Sequence, residues 1–224
     1  MSTVLETLEF ATGPQPQATV IILHGLGADG NDFVPVAQML DTGVETRFIF
    51  PHAPPIPVTI NNGYVMRAWY DILVSDLVRQ EDEAGLRQSQ TALDALIARE
   101  IERGIPSERI VLMGFSQGCA MTLLTGLRQA HRLAGLVGLS GYLPLLATTA
   151  QERSPANLRT PIFLAHGDQD PIVPLARAIA TRDHLRSLGH PVDWHTYPIP
   201  HTVSPEEIAD IQTFLKSVLK QIPN

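Results

Sequence analysis

Short apolar runs alternate along the chain with longer amphipathic segments. The runs are largely continuous rather than interrupted at every second position, which is typical of parallel strands covered on both faces. The predicted strands are residues 19–23, 47–50, 109–113, 135–139, 162–165 and 192–197. The Pro-rich stretch 51–57 is predicted to be a rigid surface loop.

The segments between these runs carry apolar residues at three- and four-residue spacing, which predicts helices. One such face covers residues 86–101 and a second covers residues 175–188. A third helix begins with Ser204 as its N-cap and Pro205 at its first position, and Glu207 is placed to complete a capping box. This strand–helix alternation predicts an α/β fold with a mostly parallel, twisted sheet and helices on both faces.

Length and composition indicate one globular domain. At 224 residues, 44% of them apolar, the chain is expected to form a single domain over residues 1–224 whose core needs no disulfide or metal. The only cysteine, Cys119, excludes an internal disulfide and fits the cytoplasm. A net charge of −7 argues against a nucleic-acid partner. We expect neither a signal peptide nor a membrane-spanning segment, because the matching apolar patterns are missing.

A candidate nucleophile lies between a predicted strand and a predicted helix. Residues 114–118 read Gly-Phe-Ser-Gln-Gly, the G-x-S-x-G pattern, and a helix is expected over residues 117–130. In a strand–turn–helix of this kind, a serine on a sharp turn stands exposed at the edge of the sheet. An ordinary tight turn is the alternative, but the context favours Ser116 as a nucleophile.

A serine nucleophile requires a base, and the base requires an acid that orients it. In hydrolases whose nucleophilic serine stands on such a strand–turn–helix, the acid and the base follow the serine in that order. Asp168 and Asp170 both follow the predicted strand 162–165, and Asp170 is preferred because it lies farther out on the loop. His201 follows the last predicted strand and is the preferred base. The chain shows no paired-histidine motif for a metal, and no metal is expected.

Glycines after the first predicted strand indicate where an oxyanion could be bound. His24-Gly25-Leu26-Gly27 follows residues 19–23, and the backbone N–H groups of Leu26 and Gln117 are the expected donors. A phosphate-binding loop is the alternative, but the spacing matches neither a P-loop nor G-x-G-x-x-G.

Together these segments resemble the phospholipase/carboxylesterase family of α/β-hydrolases, which includes the acyl-protein thioesterases. The resemblance extends from about residue 18 to residue 220 and rests on several motifs in the same order. They are His24-Gly25-Leu26-Gly27-Ala28-Asp29-Gly30, Pro51-His52-Ala53-Pro54, Trp69-Tyr70-Asp71, Gly114-Phe115-Ser116-Gln117-Gly118, His166-Gly167-Asp168-Gln169-Asp170-Pro171 and the stretch around His201. The chain departs from the family pattern at Cys119, Arg67 and Pro200.

The resemblance implies a single-domain α/β-hydrolase fold without a large cap domain and a catalytic triad of Ser116, Asp170 and His201. It implies a serine carboxylesterase acting on short- to medium-chain esters through an acyl-enzyme, with no cofactor. An acyl-protein thioesterase or a lysophospholipase is the alternative, and a non-catalytic binding protein of the same fold is a further one. Because members of the family often pair near the active site, a homodimer is also consistent with the resemblance.

The family resemblance also directs attention to residues 71–78, where apolar residues lie between polar ones. An ordinary core element and an apolar lip that guides an acyl chain both fit this pattern. Under the second interpretation, Trp69, Leu73 and Tyr142 line a substrate groove beside the active site.

Overall fold

The computed structural model describes residues 5–73 and 80–220 of the chain. Its strands, in chain order, are β1 (Thr7–Ala11), β2 (Ala18–Leu23), β3 (Thr46–Pro51), β4 (Pro55–Val58), β5 (Tyr64–Arg67), β6 (Ile110–Phe115), β7 (Gly135–Leu139), β8 (Ile162–Gly167) and β9 (Val192–Tyr197). Its helices are α1 (Val34–Met39), α2 (Glu83–Glu102), α3 (Gln117–Arg128), α4 (Leu146–Glu152), α5 (Leu175–Ser187) and α6 (Pro205–Val218).

Seven of the strands within these ranges form one sheet, in the order β1-β3-β2-β6-β7-β8-β9. Only β1 runs antiparallel to its neighbour, and the other adjacent strands are parallel. The predicted mostly parallel sheet is therefore confirmed. Its topology brings the loops after β2, β6, β7, β8 and β9 to one edge, where ligands bind in open sheets of this class.

Helices cover both faces of the sheet, as the sequence predicts. Helices α2 and α3 share one buried apolar cluster with Ile21 and Leu112. Helices α1 and α6 share a second cluster with Val20 and Val111 on the opposite face. Because neighbouring strand residues point to opposite faces, each continuous apolar run contributes to both clusters.

The prediction of a surface loop over residues 51–57 was wrong. Pro51 closes β3, and β4 pairs antiparallel with β5, so that Pro55 lies opposite Arg67 and Val58 opposite Tyr64. This hairpin forms a separate two-stranded sheet, where prolines are tolerated because outward-facing N–H groups are not needed for pairing. Sequence reasoning also missed β1, α1 and α4, which are short and only partly buried.

The capping box predicted at α6 brings Ser204 and Glu207 together. Ser204 Oγ accepts a hydrogen bond from the Glu207 N–H at 3.1 Å, so the N-cap is confirmed. The Glu207 carboxylate faces the Ser204 backbone in return, although neither of its oxygens reaches full hydrogen-bond geometry with a partner within the described residues. The side chain is buried, and burial raises its pKa to about 7 despite the opposing effect of the Ser204 backbone. Helix α3 likewise ends at Arg128, two residues before the predicted end.

Candidate active site

Ser116 lies on a sharp turn between β6 and α3, as predicted. Its backbone has φ 56° and ψ −117°, which is a strained conformation for a residue with a side chain. The Ser116 N–H donates to the Leu139 carbonyl at 2.9 Å, which ties the turn to β7. Gly118 is required because a Cβ there would lie 2.0 Å from the Leu23 carbonyl oxygen. The G-x-S-x-G pattern therefore reflects close packing of α3 on the end of β2.

Asp170 and His201 form a hydrogen-bonded pair at the same edge of the sheet. His201 Nδ1 lies 2.6 Å from Asp170 Oδ2, although the two residues are 31 positions apart. The other carboxylate oxygen, Asp170 Oδ1, accepts from the N–H groups of Ile172 and Val173 at 2.8 and 2.9 Å. The Asp170 side chain is fully buried, while that of His201 keeps 16% of its surface exposed. An acid oriented in this way holds the imidazole with Nε2 directed away from it.

The geometry separates the two aspartates between which the sequence left a choice. Asp170 contacts His201, whereas Asp168 is exposed and donates its backbone N–H to the Tyr197 carbonyl at 2.9 Å. The His201 ring packs on the ring of Phe115 with centroids 4.7 Å apart, so it lies beside the residue that precedes Ser116. The structure therefore brings the predicted serine turn and the Asp170–His201 pair together.

The loop that carries His201 packs directly on the loop that carries Asp170. A Cβ on Gly167 would lie 2.3 Å from the Ile199 carbonyl oxygen and 2.5 Å from that of Pro200, so only glycine permits this approach. The Gln169 N–H also donates to the Ile199 carbonyl at 3.2 Å. Pro200 takes part in this contact through its carbonyl oxygen.

His166 is a residue of the site that sequence reasoning did not single out. It is fully buried, and its Nε2 lies 2.8 Å from the Val173 carbonyl oxygen and 3.5 Å from Asp170 Oδ2. Burial lowers the pKa of His166, which favours a neutral ring that donates to the Val173 carbonyl. His166 thereby supports the turn whose N–H groups bind Asp170. The signal available in the sequence was a polar histidine at the carboxyl end of a buried strand.

The two predicted oxyanion donors lie on either side of Ser116. Gln117 is the first residue of α3, so its N–H has no acceptor within the helix. Leu26 lies in a turn in which the Ala28 N–H donates to the Gly25 carbonyl at 3.3 Å. This turn adjoins the serine, because a Cβ on Gly25 would lie 3.4 Å from Ser116 Cβ. Their function as an oxyanion hole stays a prediction.

The hairpin of β4 and β5 and the buried His24 hold the turn that contains Leu26 in position. The Gly27 N–H donates to the Arg67 carbonyl at 2.9 Å, and the Arg67 guanidinium donates to the Ala53 carbonyl at 2.9 Å. His24 donates from Nδ1 to the Gly25 carbonyl at 2.7 Å and accepts from the Ala53 N–H through Nε2 at 3.0 Å. Burial lowers the pKa of His24 to about 4, so the ring is neutral at physiological pH and both bonds persist.

Gln117 also fixes the segment that follows the hairpin. Its Oε1 accepts from the Trp69 N–H at 3.0 Å and its Nε2 donates to the Tyr70 carbonyl at 2.8 Å. Trp69 Nε1 in turn donates to the His24 carbonyl at 2.9 Å. One glutamine therefore connects the residue after the candidate nucleophile to the loop that presents Leu26.

The three predicted groove residues occupy different positions. Trp69 is only 2% exposed and lies in the core, bonded to His24 and Gln117. Tyr142 is 8% exposed, and its hydroxyl lies 2.9 Å from that of Tyr70. Leu73 is half-buried, and residues 74–79 of the proposed lip lie outside the described residues. Contact of these side chains with a substrate stays a prediction.

Neither a metal site nor a reactive cysteine is found in the part of the chain that the structure describes. No group of three or more His, Cys, Asp or Glu side chains there could hold a metal ion. Burial raises the pKa of the Cys119 thiol to about 12, so it is not a nucleophile at neutral pH. Among the same residues, no helix is long and apolar enough to cross a membrane.

The parallel sheet, the strained serine turn and the loops at its carboxyl edge define an α/β-hydrolase. Comparison with known proteins gives the family: the chain belongs to the phospholipase/carboxylesterase family, whose model matches residues 10–219. It is a hydrolase of the esterase and thioesterase type.

Several relatives are similar over nearly their whole length. The chain is 43% identical to acyl-protein thioesterase 1 of Gibberella zeae, with 96% of this chain and 95% of the relative covered. It is 44% identical to acyl-protein thioesterase 1 of Neurospora crassa, with 92% and 88% covered. Among solved structures, Zea mays acyl-protein thioesterase 2 has a TM-score of 0.84 at 28% identity, with 96% of this chain and 99% of that chain covered.

Proposed function

We propose that the protein is a serine hydrolase that cleaves acyl thioesters on proteins, with Ser116, His201 and Asp170 as its triad. The observation that carries the proposal is the 2.6 Å bond between His201 Nδ1 and the buried Asp170, beside the strained Ser116 turn. This bond leaves His201 Nε2 as the atom that takes the Ser116 proton. Ser116 Oγ then attacks the acyl carbonyl carbon, and a tetrahedral intermediate forms.

The negative charge of that intermediate develops next to two backbone donors. The N–H groups of Leu26 and Gln117 are proposed to bind the oxyanion, and loss of one such donor typically costs about 3–4 kcal/mol of transition-state stabilisation. His201 next donates its proton to the departing sulfur or oxygen, which leaves an acyl-serine. Water activated by His201 hydrolyses that ester and restores Ser116. No metal or organic cofactor takes part in this sequence.

The names of the relatives support a thioester of a protein cysteine as the substrate. The sequence alone favoured a general carboxylesterase for short- to medium-chain esters, with an acyl-protein thioesterase as the alternative. Full-length relatives at 43–44% identity are acyl-protein thioesterases, so the alternative is the better supported function. The triad itself serves both reactions, because an ester and a thioester share the acyl group and differ in the leaving atom.

The test compares an S-acylated peptide with the matching O-acyl serine peptide, each hydrolysed by wild type and Ser116→Ala. We expect wild type to release the thioester acyl group with the higher kcat/KM, and Ser116→Ala to lose both activities. Ser187→Ala, at an exposed serine on α5, is the matched control and should retain both. Hydrolysis of the O-acyl peptide alone would instead assign the protein to the carboxylesterases, and full activity of Ser116→Ala would disprove the triad.

A further inference from the structure

An apolar cavity of about 340 Å³ lies at the same edge of the sheet as Ser116. This volume falls at the lower end of small-molecule pockets, which span about 300–1,000 Å³. The cavity walls come from the segments that follow β7 and β8 and from the residue Glu81, which precedes α2. They are formed by Glu81, Tyr142, Leu143, Leu146, Ala147, Arg177, Ala180 and Thr181.

Two short connections join this cavity to the candidate active site. Gly141 precedes Tyr142, and a Cβ on Gly141 would lie 2.8 Å from the Ser116 carbonyl oxygen. On the other side, the Tyr142 hydroxyl contacts the Tyr70 hydroxyl, and the Tyr70 carbonyl accepts from Gln117 Nε2. The wall of the cavity that contains Tyr142 is therefore connected directly to the turn that carries Ser116.

Arg177 brings an unsatisfied positive donor to the cavity. Its guanidinium carbon lies 4.6 Å from the centroid of the Tyr142 ring, so the ring holds it by a cation–π contact. The guanidinium also interacts with the Tyr142 hydroxyl, but its Nη1 is buried and has no acceptor at full hydrogen-bond geometry within the described residues. A buried donor without an acceptor is unfavourable, and an anionic oxygen is the acceptor that satisfies a guanidinium best.

The second charged residue of the cavity already has a partner. Both carboxylate oxygens of Glu81 accept from the Leu145 N–H, at 3.0 and 3.2 Å. Burial raises the pKa of Glu81, and the nearby positive charge of Arg177 opposes that shift. Glu81 therefore limits the positive potential of the cavity but leaves Arg177 Nη1 available to a ligand.

We propose that this cavity is a subsite for a carboxylate carried by the substrate, with Arg177 as the residue that recognises it. The inference rests on the proposed function, because the carboxylate belongs to the same substrate molecule as the acyl group that Ser116 attacks. Two sources fit this chemistry: an acyl chain that ends in a carboxylate, and an acidic group on the leaving side. Apolar walls around one cation suit either, since they accept a short hydrocarbon spacer and bind its charged end.

The experiment measures kcat/KM for two matched pairs of esters. The acyl arm compares mono-4-nitrophenyl adipate with 4-nitrophenyl hexanoate, and the leaving-group arm compares 4-carboxyphenyl hexanoate with its methyl ester. The carboxylate of the natural substrate lies either on the acyl chain or on the leaving group, and one arm matches each case. In the matching arm, Arg177→Met should lower the ratio of kcat/KM for the anionic ester to kcat/KM for the neutral ester by about 10- to 100-fold. Arg177→Lys should restore part of the ratio, and Glu81→Gln should raise it, because an opposing charge is removed.

Arg182→Met is the matched control. Arg182 lies on the same helix and also stacks on an aromatic ring, that of Trp194 at 5.1 Å, but it does not line the cavity. Its loss should leave both ratios as in wild type. Because each ratio compares two substrates on one preparation, a variant that folds in lower yield still gives a valid value. Ratios that are independent of Arg177 in both arms would overturn the subsite.

Binding without turnover distinguishes failure of the subsite from failure of the proposed function. Calorimetry on Ser116→Ala compares adipate with hexanoate, and the same measurement is made on Ser116→Ala with Arg177→Met. We expect adipate to bind more tightly than hexanoate, and this difference to disappear with Arg177. If the wild type hydrolyses neither the thioester peptide nor any of these esters while this binding persists, the function fails and the subsite stands. If the thioester peptide or the esters are hydrolysed but neither ratio depends on Arg177 and adipate binds no better than hexanoate, the subsite fails and the function stands.

Discussion

Asp170 uses both of its carboxylate oxygens, and each has a separate function in the site. Oδ1 is anchored by two backbone N–H groups of its own loop, and Oδ2 faces His201 Nδ1. His166 packs behind this loop and is bonded to the Val173 carbonyl. The carboxylate is thereby oriented before any substrate arrives, which is what a residue that fixes a tautomer requires.

Asp170→Asn is the residue-scale prediction. The amide keeps the shape of the side chain but presents a donor or a neutral oxygen to His201, so the imidazole is no longer held with Nε2 free to accept the serine proton. We expect kcat to fall by about 10³- to 10⁴-fold with little change in KM. Steady-state kinetics on the thioester peptide measures this.

Asp168→Asn is the control for that substitution, since Asp168 is an exposed carboxylate on the same loop. It should retain nearly full activity. If Asp168→Asn were the inactive variant and Asp170→Asn the active one, the assignment of the acid would be wrong.

At the scale of single elements, α6 contains a carboxylate in an unfavourable place. Glu207 is 1% exposed, and the contact of its carboxylate with the Ser204 backbone does not offset the cost of this burial. Burial raises its pKa from 4.5 to about 7. A carboxyl with a raised pKa favours the folded state when it is protonated, and this contribution is lost as the pH rises from 4.5 through 7.

Glu207→Gln removes that ionisation and should therefore stabilise the protein at alkaline pH. We expect its gain in the free energy of unfolding over wild type to be about 1–3 kcal/mol larger at about pH 8.5 than at about pH 4.5. Urea unfolding at the two pH values measures the difference. Glu206→Gln, at an exposed position one residue earlier, should show no such dependence on pH, and an equal gain for Glu207→Gln at both pH values would contradict this account.

At the scale of the whole molecule, a buried ion network joins α2 to three strands of the sheet. Glu100 is fully buried and bonds to Arg47 at 2.7 Å, to Arg103 at 2.9 Å and to the Thr19 hydroxyl at 3.0 Å. Arg103 continues to Glu9 on β1 at 2.8 Å. These contacts lie near the amino ends of β2 and β3, away from the edge that carries Ser116.

Glu100→Ala should destabilise the fold without altering the chemistry of the site. Removing the carboxylate leaves Arg47, only 15% exposed, without its partner, and loss of one member of a buried pair costs about 3–5 kcal/mol. Urea unfolding measures the loss, with Glu102→Ala at an exposed position of the same helix as the control. We expect kcat of the folded fraction to match wild type. A fall in kcat of the folded fraction would show that the network reaches the active site.

The sequence was a good guide where structure follows from local pattern. Continuous apolar runs predicted six strands of the central sheet, and helical spacing predicted α2, α5 and α6. Elements whose residues are half exposed, such as β1 and the hairpin of β4 and β5, escaped because their pattern is weak. The expected cytoplasmic location and the homodimer stay predictions.

For the site, the sequence by itself determined which residue types follow which strands: a serine between glycines after β6, an aspartate after β8 and a histidine after β9. Hydrophobic periodicity and turn-forming residues act over a few positions, and they can therefore be recognised in the amino-acid sequence. Only the tertiary structure decided that Asp170 rather than Asp168 meets His201, that Trp69 lies in the core, and that Arg177 shares a cavity with Tyr142. Those outcomes depend on how segments far apart in the chain pack, because a contact is set by the shape and charge of both partners at once.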